Sequence, residues 1–145
     1  MKNGTPRQPL LIPAARSELQ LRPGLPLDLM EGLGQYSHVW LLYVFDKNDD
    51  IPRLWEPQGG TVKGKVSVPR LNGGRMGALA TRTPHRPSPI GLSVARVVRV
   101  DRGRIVLAGA DVVDGSPILD IKPYVPFCDA VAGGVAPSWV AAEAE

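Results

Sequence analysis

The sequence predicts an all-β fold: a single-domain β-barrel or folded mixed sheet with a short irregular or helical C-terminal tail. Three observations predict it. Runs rich in β-branched and aromatic residues recur, clearest at Ser37 to Phe45 (SHVWLLYVF) and Leu92 to Val100 (LSVARVVRV). The second run is joined to Arg104–Leu107 (RIVL) by Asp101-Arg102-Gly103, a hairpin signature. With 16 Gly and 15 Pro among 145 residues and no repeat period, the chain favours short elements and tight turns over long helices.

Taken in order, the first 35 residues read as irregular, because Pro6, Pro9, Pro13, Pro23 and Pro26 exclude a long helix. Ser37–Phe45 is a buried strand and Asp46–Pro57 a polar loop ending in a Trp-Glu-Pro turn. Val62–Val68 (VKGKVSV) alternates apolar and basic residues, so it reads as an edge strand with Lys63 and Lys65 outward. Gly73–Gly91 (GGRMGALATRTPHRPSPIG) then combines glycines, which allow close backbone approach, with Pro84, Pro87 and Pro89, which stiffen the chain. A stiff, extended loop that fixes Arg75, Arg82, His85 and Arg86 in place is the expectation, and ordering such a loop with little burial suits a binding role. After the hairpin, Asp111–Val113 and Ile118–Ile121 flank an Asp114-Gly115-Ser116-Pro117 turn. The Ala/Gly-rich tail carries one short helix over Ser138–Ala144, with Ser138 as N-cap.

Composition narrows the function. No apolar run approaches the roughly 20 residues of a membrane helix, and the N-terminus lacks a secretory apolar core. The single cysteine, Cys128, excludes an internal disulfide framework; it fits a reducing compartment and reads as a small buried hydrophobe. We expect a cytoplasmic protein. The net charge of +3 conceals an asymmetry: Lys63–Arg104 is densely basic with Asp101 its lone acid, whereas residues 105–145 are acidic apart from Lys122. A basic block of that density points to a polyanion, nucleic acid first. Rossmann, Walker, G-x-S-x-G and C-x-x-C motifs are all lacking. His38 and His85 are too few and too distant in sequence for a histidine metal site, and Asp114 is read as capping its own turn rather than holding a cation with Asp111 and Asp120. The residues alone lead to a basic all-β domain with a rigid Arg/Pro loop that binds RNA or DNA.

Four segments go further. They are PRQP at Pro6–Pro9, EGLGQYSHVWLLYVF at Glu31–Phe45, PRLNGGRMGALATRTPHRPSPIGLS at Pro69–Ser93, and DVVDGSPILDIKPYVPF at Asp111–Phe127. Together they closely resemble the TsaA-like family, the TrmO-type tRNA methyltransferases, over nearly all of the chain from Gly4 to Asp129. The resemblance implies a β-barrel enzyme that moves a methyl group from S-adenosylmethionine to N6 of the threonylcarbamoyl-modified adenosine 3′ of the anticodon. It also implies a homodimer that contacts the tRNA anticodon loop. Carried over by motif, the cofactor contacts fall on Pro6, Arg7, Gln8, Ser37, His38, Arg82, Leu92, Asp114, Gly115, Ser116 and Pro117, with no metal. RNA contacts fall on Arg75, His85 and Arg86, with Arg96 and Arg99 as further phosphate contacts. The catalytic base stays open among His38, Asp111, Asp114 and Tyr124. Residues 1–145 are expected to form one domain with 130–145 as its tail. The family's usual opening strand ahead of the PRQ segment is not found here, which leaves a non-catalytic tRNA- or S-adenosylmethionine-binding copy as the alternative.

Overall fold

The computed structural model describes residues 14–58 and 60–141. Its strands in chain order are β1 (Arg16–Gln20), β2 (His38–Val44), β3 (Lys65–Ser67), β4 (Arg75–Gly77), β5 (Ile90–Asp101), β6 (Arg104–Ala108) and β7 (Ile118–Pro123). Two four-residue helices follow, α1 (Pro126–Asp129) and α2 (Ser138–Ala141), and short 3₁₀ turns fill several connections. The described chain divides into two compact units, residues 14–44 with 91–125, and residues 45–90 with 126–141.

The first unit is a five-stranded sheet in the order β1-β6-β5-β2-β7. The β1–β6, β5–β6 and β2–β7 pairings are antiparallel, and among the described residues the sheet stays open, with β1 and β7 at its edges. The all-β expectation therefore holds as an open antiparallel sheet rather than a closed barrel or a mixed one. The hairpin β5–β6 lies where the Asp-x-Gly turn put it, with Asp101 opposite Arg104 and a bulge between Val97 and Arg99.

β2 alternates strictly, burying Val39, Leu41 and Tyr43. On the neighbouring β5 the buried positions are small: Gly91, Ser93 and Ala95. Small against large lets the strands' inner faces interdigitate, and Ile105 and Leu107 of β6 complete the core. The fit is tightest at Gly91, where a Cβ would fall 2.8 Å from the Tyr43 hydroxyl and closer still to its ring.

The second unit is less regular. β3 and β4 form a two-stranded antiparallel ribbon, Lys65 opposite Gly77, and Leu54, Val68 and Ala78 are buried. The segment expected to be one extended loop from Gly73 thus opens with a strand and a 3₁₀ turn, Ala78–Ala80, and only then becomes the Thr/Pro/Arg loop.

Four expectations need correction. The segment read as irregular contains β1, whose charged residues alternate outward while its ladder is completed by Leu21 N–H to Gly103 O and Gly109 N–H to Ala15 O. Val62–Val68 is strand only at Lys65–Ser67. Cys128 is exposed, because α1 is a single turn that buries none of its residues. Ser138 is the first residue of α2 rather than its cap; the Pro137 carbonyl accepts the Val140 N–H.

Two stability predictions follow from this packing. Gly91→Val should destabilise by about 3 kcal/mol through overpacking against Tyr43, and Leu41→Ala by about 2–5 kcal/mol through a cavity. Urea midpoints at constant m-value measure both.

Candidate functional site

Two groups of sequence-predicted positions lie at opposite ends of β2. At its start, Ser37 accepts the Val97 N–H through its carbonyl, 2.8 Å, and its hydroxyl lies 2.9 Å from His38 Nδ1. The Tyr124 N–H donates to the His38 carbonyl, 3.0 Å. The Tyr124 ring meets His38 edge-on at 6.2 Å and Trp40 tilted at 5.6 Å. This is an aromatic corner built by the β2–β7 ladder.

At the far end of β2, the Val44 N–H donates to the Pro117 carbonyl, 3.0 Å. Pro117 closes the turn that starts at Asp114, and the Ser116 N–H returns to the Val113 carbonyl. Gly115 takes φ +78°, a conformation that favours glycine, so the turn stays free of side-chain bulk at its tip. Asp114, Gly115 and Pro117 are exposed, and Leu92 on β5 is 55% exposed. His38 to Val44 spans about 20 Å of extended chain, so the Ser37–His38 group and the Asp114–Pro117 group are not brought together by β2 itself.

Between them runs a buried polar chain that was not legible in the sequence. Ser93 donates its hydroxyl to Asp111 Oδ1, 2.8 Å, and therefore accepts from the Tyr43 hydroxyl, 3.2 Å. Burial pushes the Tyr43 phenol above its ordinary range, and the nearby Asp111 charge adds to it. Asp120 is bound instead to Lys122, 2.8 Å, and that hydrogen bond holds its carboxyl below the usual range. Among the described residues Asp111, Asp114 and Asp120 do not assemble into a metal-binding cluster.

In the second unit, the loop after β4 is folded by its own polar groups. Thr81 Oγ1 donates to the Ala78 carbonyl, and the Thr83 and His85 N–H groups donate to the hydroxyls of Thr81 and Thr83. Arg86 Nη1 donates to the carbonyls of Thr81, 2.7 Å, and Thr83, 3.3 Å. Arg86 therefore braces this loop, and Arg75 likewise donates to the Lys65 carbonyl across the ribbon. His85 Nδ1 lies 2.9 and 3.0 Å from the two carboxylate oxygens of Asp49. Asp49 sits in a Lys-Asn-Asp-Asp run that reads as an ordinary solvated loop, and nothing local marks it as a histidine's partner. Arg82 is exposed, and no hydrogen bond or ion pair ties its guanidinium to the described residues. Arg99 pairs with Asp101, 2.9 Å, while Arg96 on the same strand is exposed. Pro6, Arg7 and Gln8 lie outside the described residues.

In the first unit the exposed Leu92 offers an apolar surface, and the open Asp114–Pro117 turn offers backbone groups and a carboxylate. In the second, Arg82 offers a guanidinium whose fork of donors matches a carboxylate.

A family model described as the tRNA-methyltransferase O N-terminal domain matches residues 1–130. The chain belongs to the tRNA-methyltransferase O family. It is 44% identical over 131 residues to the tRNA (adenine(37)-N6)-methyltransferase of Homo sapiens, covering 88% of this chain and 28% of that protein. Against the enzyme of the same name from Escherichia coli K12 the identity is 40% over 136 residues, covering 90% and 54%. A crystal structure of TrmO superposes with a TM-score of 0.70 at 44% identity, covering 91% of this chain and 54% of that one. A second, from Pseudomonas aeruginosa, gives 0.67 at 42%, covering 90% and 52%. The chain therefore spans about half the length, or less, of these tRNA-methyltransferase O relatives. Among the described residues no helix is long and apolar enough to cross a membrane.

The Tyr43 chain yields a prediction with a definite sign. The folded state favours the neutral phenol, so its contribution is fully present below pH 10.0 and is lost as pH rises through the elevated folded value. Urea midpoints from pH 9 to 11 should fall in the parent protein and lose that component in Tyr43→Phe. Ser93→Ala, which strips the buried hydroxyl of its acceptor, should cost about 1–3 kcal/mol at neutral pH.

Proposed function

We propose that this chain is a tRNA methyltransferase that transfers the methyl group of S-adenosylmethionine to N6 of the threonylcarbamoyl-modified adenosine 3′ of the anticodon. One observation carries the reading. Relatives named tRNA (adenine(37)-N6)-methyltransferase align over 88–90% of this chain, and of the motif positions among the described residues Ser37, Arg82, Leu92, Asp114, Gly115 and Pro117 are exposed. When bound, the cofactor supplies an activated methyl group. This chain's residues do the rest. Arg82 holds the cofactor's carboxylate, Leu92 backs its purine, and the Asp114–Pro117 turn takes its polar edge. Catalysis is then largely alignment of the acceptor nitrogen with that methyl group.

RNA binding suits the basic stretch from Lys63 to Arg104, in which Arg82 and Arg96 are exposed. The target nucleotide has to be splayed from its loop for N6 to be reached. The working form in this proposal is a cytoplasmic homodimer. Supporting it, the Ser37–His38 and Asp114–Pro117 groups stand about 20 Å apart along β2, so one copy's Ser37–His38 end is free to meet a partner's turn.

Incubation with S-adenosylmethionine and threonylcarbamoyl-bearing tRNA, followed by digestion and nucleoside mass spectrometry, should reveal the N6-methylated product. A folded protein that binds both and yields none is a binding-only copy. Arg82→Ala should weaken cofactor binding by about 10- to 100-fold, as expected on losing a hydrogen-bonded charge, measured by isothermal titration calorimetry.

A further inference from the structure

The proposed reaction leaves one requirement unassigned. N6 of the modified adenosine carries a proton, and its lone pair is delocalised into the purine and the adjoining carbonyl. Forming a new bond there requires that proton to leave, so a positioned acceptor accelerates the step. In the first unit three of the four named acceptors are engaged, and Asp114 lies on the exposed turn. Asp111 takes the Ser93 hydroxyl, Tyr124 packs between His38 and Trp40, and His38 turns Nδ1 to the neutral Ser37 hydroxyl.

His85 is held differently. A carboxylate accepts hydrogen bonds and does not donate them, so the contact of His85 Nδ1 with both Asp49 oxygens, 2.9 and 3.0 Å, places the ring proton on Nδ1. In the neutral ring the lone pair then sits on Nε2. The imidazole is 42% exposed while the Asp49 side chain is only 20% exposed, so the ring can be reached and its partner is shielded. The backbone is held as firmly as the ring. The His85 N–H is tied to Thr83, Arg86 clamps the carbonyls of Thr81 and Thr83, and Pro84 and Pro87 stiffen either side. Arg82 lies three residues earlier on the same loop. A surface histidine with no chemical task needs neither a half-buried carboxylate behind it nor a braced loop beneath it.

We propose that His85 is the proton acceptor of the methyl transfer, with Asp49 as its positioning residue; this rests on the methyltransferase reading above. The balance is as follows: the carbon–sulfur bond breaks with its electron pair left on sulfur, now a neutral thioether, and the carbon–nitrogen bond forms at N6. The N6 proton passes to His85 Nε2 and later from the imidazolium to water. Asp49 stabilises that imidazolium and keeps the ring in the productive tautomer, as the carboxylate of a Ser-His-Asp triad does.

The test uses the full chain, saturating S-adenosylmethionine and threonylcarbamoyl-bearing tRNA under single-turnover conditions. His85→Ala and His85→Gln should each lower the rate by about 100-fold or more while the dissociation constants for tRNA and cofactor change little. Asp49→Asn should lower it comparably through the wrong tautomer, and added imidazole should restore part of the His85→Ala rate. A readout without turnover keeps the test independent of those variants' folding. Diethylpyrocarbonate modifies accessible imidazole, and in the unaltered protein substrate tRNA without cofactor should protect His85, mapped by peptide mass spectrometry. A productive parent enzyme whose His85 variants keep their rate, or whose His85 is not protected, overturns this inference alone. A parent enzyme that makes no product overturns the methyltransferase reading itself.

Discussion

The first unit depends on the contact between β2 and β5, where the Tyr43 ring lies over Gly91 and its hydroxyl reaches Ser93. Only small side chains on β5 leave room for Val39, Leu41 and Tyr43 on β2. That fit sets the register at the centre of the sheet, because a slip of one residue would turn each buried side chain toward solvent. The same contact carries the polar chain Tyr43–Ser93–Asp111, which anchors Asp111 just ahead of the Asp114–Pro117 turn. Packing in the core and presentation of the turn are consequences of one arrangement.

The second unit achieves rigidity by other means. Its loop after β4 has few apolar residues to bury, so it is fixed by threonine hydroxyls and a guanidinium that satisfy backbone groups locally. Prolines reduce the freedom of the unfolded loop, which lowers the entropic cost of holding it in one shape. The outcome is a segment that presents Arg82 and His85 while spending Arg86 on its own backbone.

What was legible in the sequence follows the range of the interactions. The hairpin β5–β6 and the strand β2 were read correctly, because a turn signal and a strict alternation are local. β1 was missed because Arg16, Glu18 and Gln20 give it little intrinsic strand character; it exists through its register with β6. Asp111–Val113 has strand-like residues and no strand, since Gly109 at φ +73° ends the β6 ladder just before it. The Asp49–His85 pair joins positions 36 residues apart, and Tyr43–Ser93 joins positions 50 apart, so no window of sequence could reveal either. The motif segments did locate the exposed turn and Arg82. They could not say that Arg75 and Arg86 donate to their own backbone, which depends on how the loop folds.

The central proposal is that the Asp114–Pro117 turn of the first unit and Arg82 in the braced loop of the second each contact the cofactor, as the family motifs imply. Hydrogen–deuterium exchange of the whole chain, with and without S-adenosylmethionine, tests it most directly. The account predicts new protection over residues 111–117 and 81–86. Protection confined to other segments, such as the groove lined by Leu27, Met30, Gln35 and Val100, would contradict it.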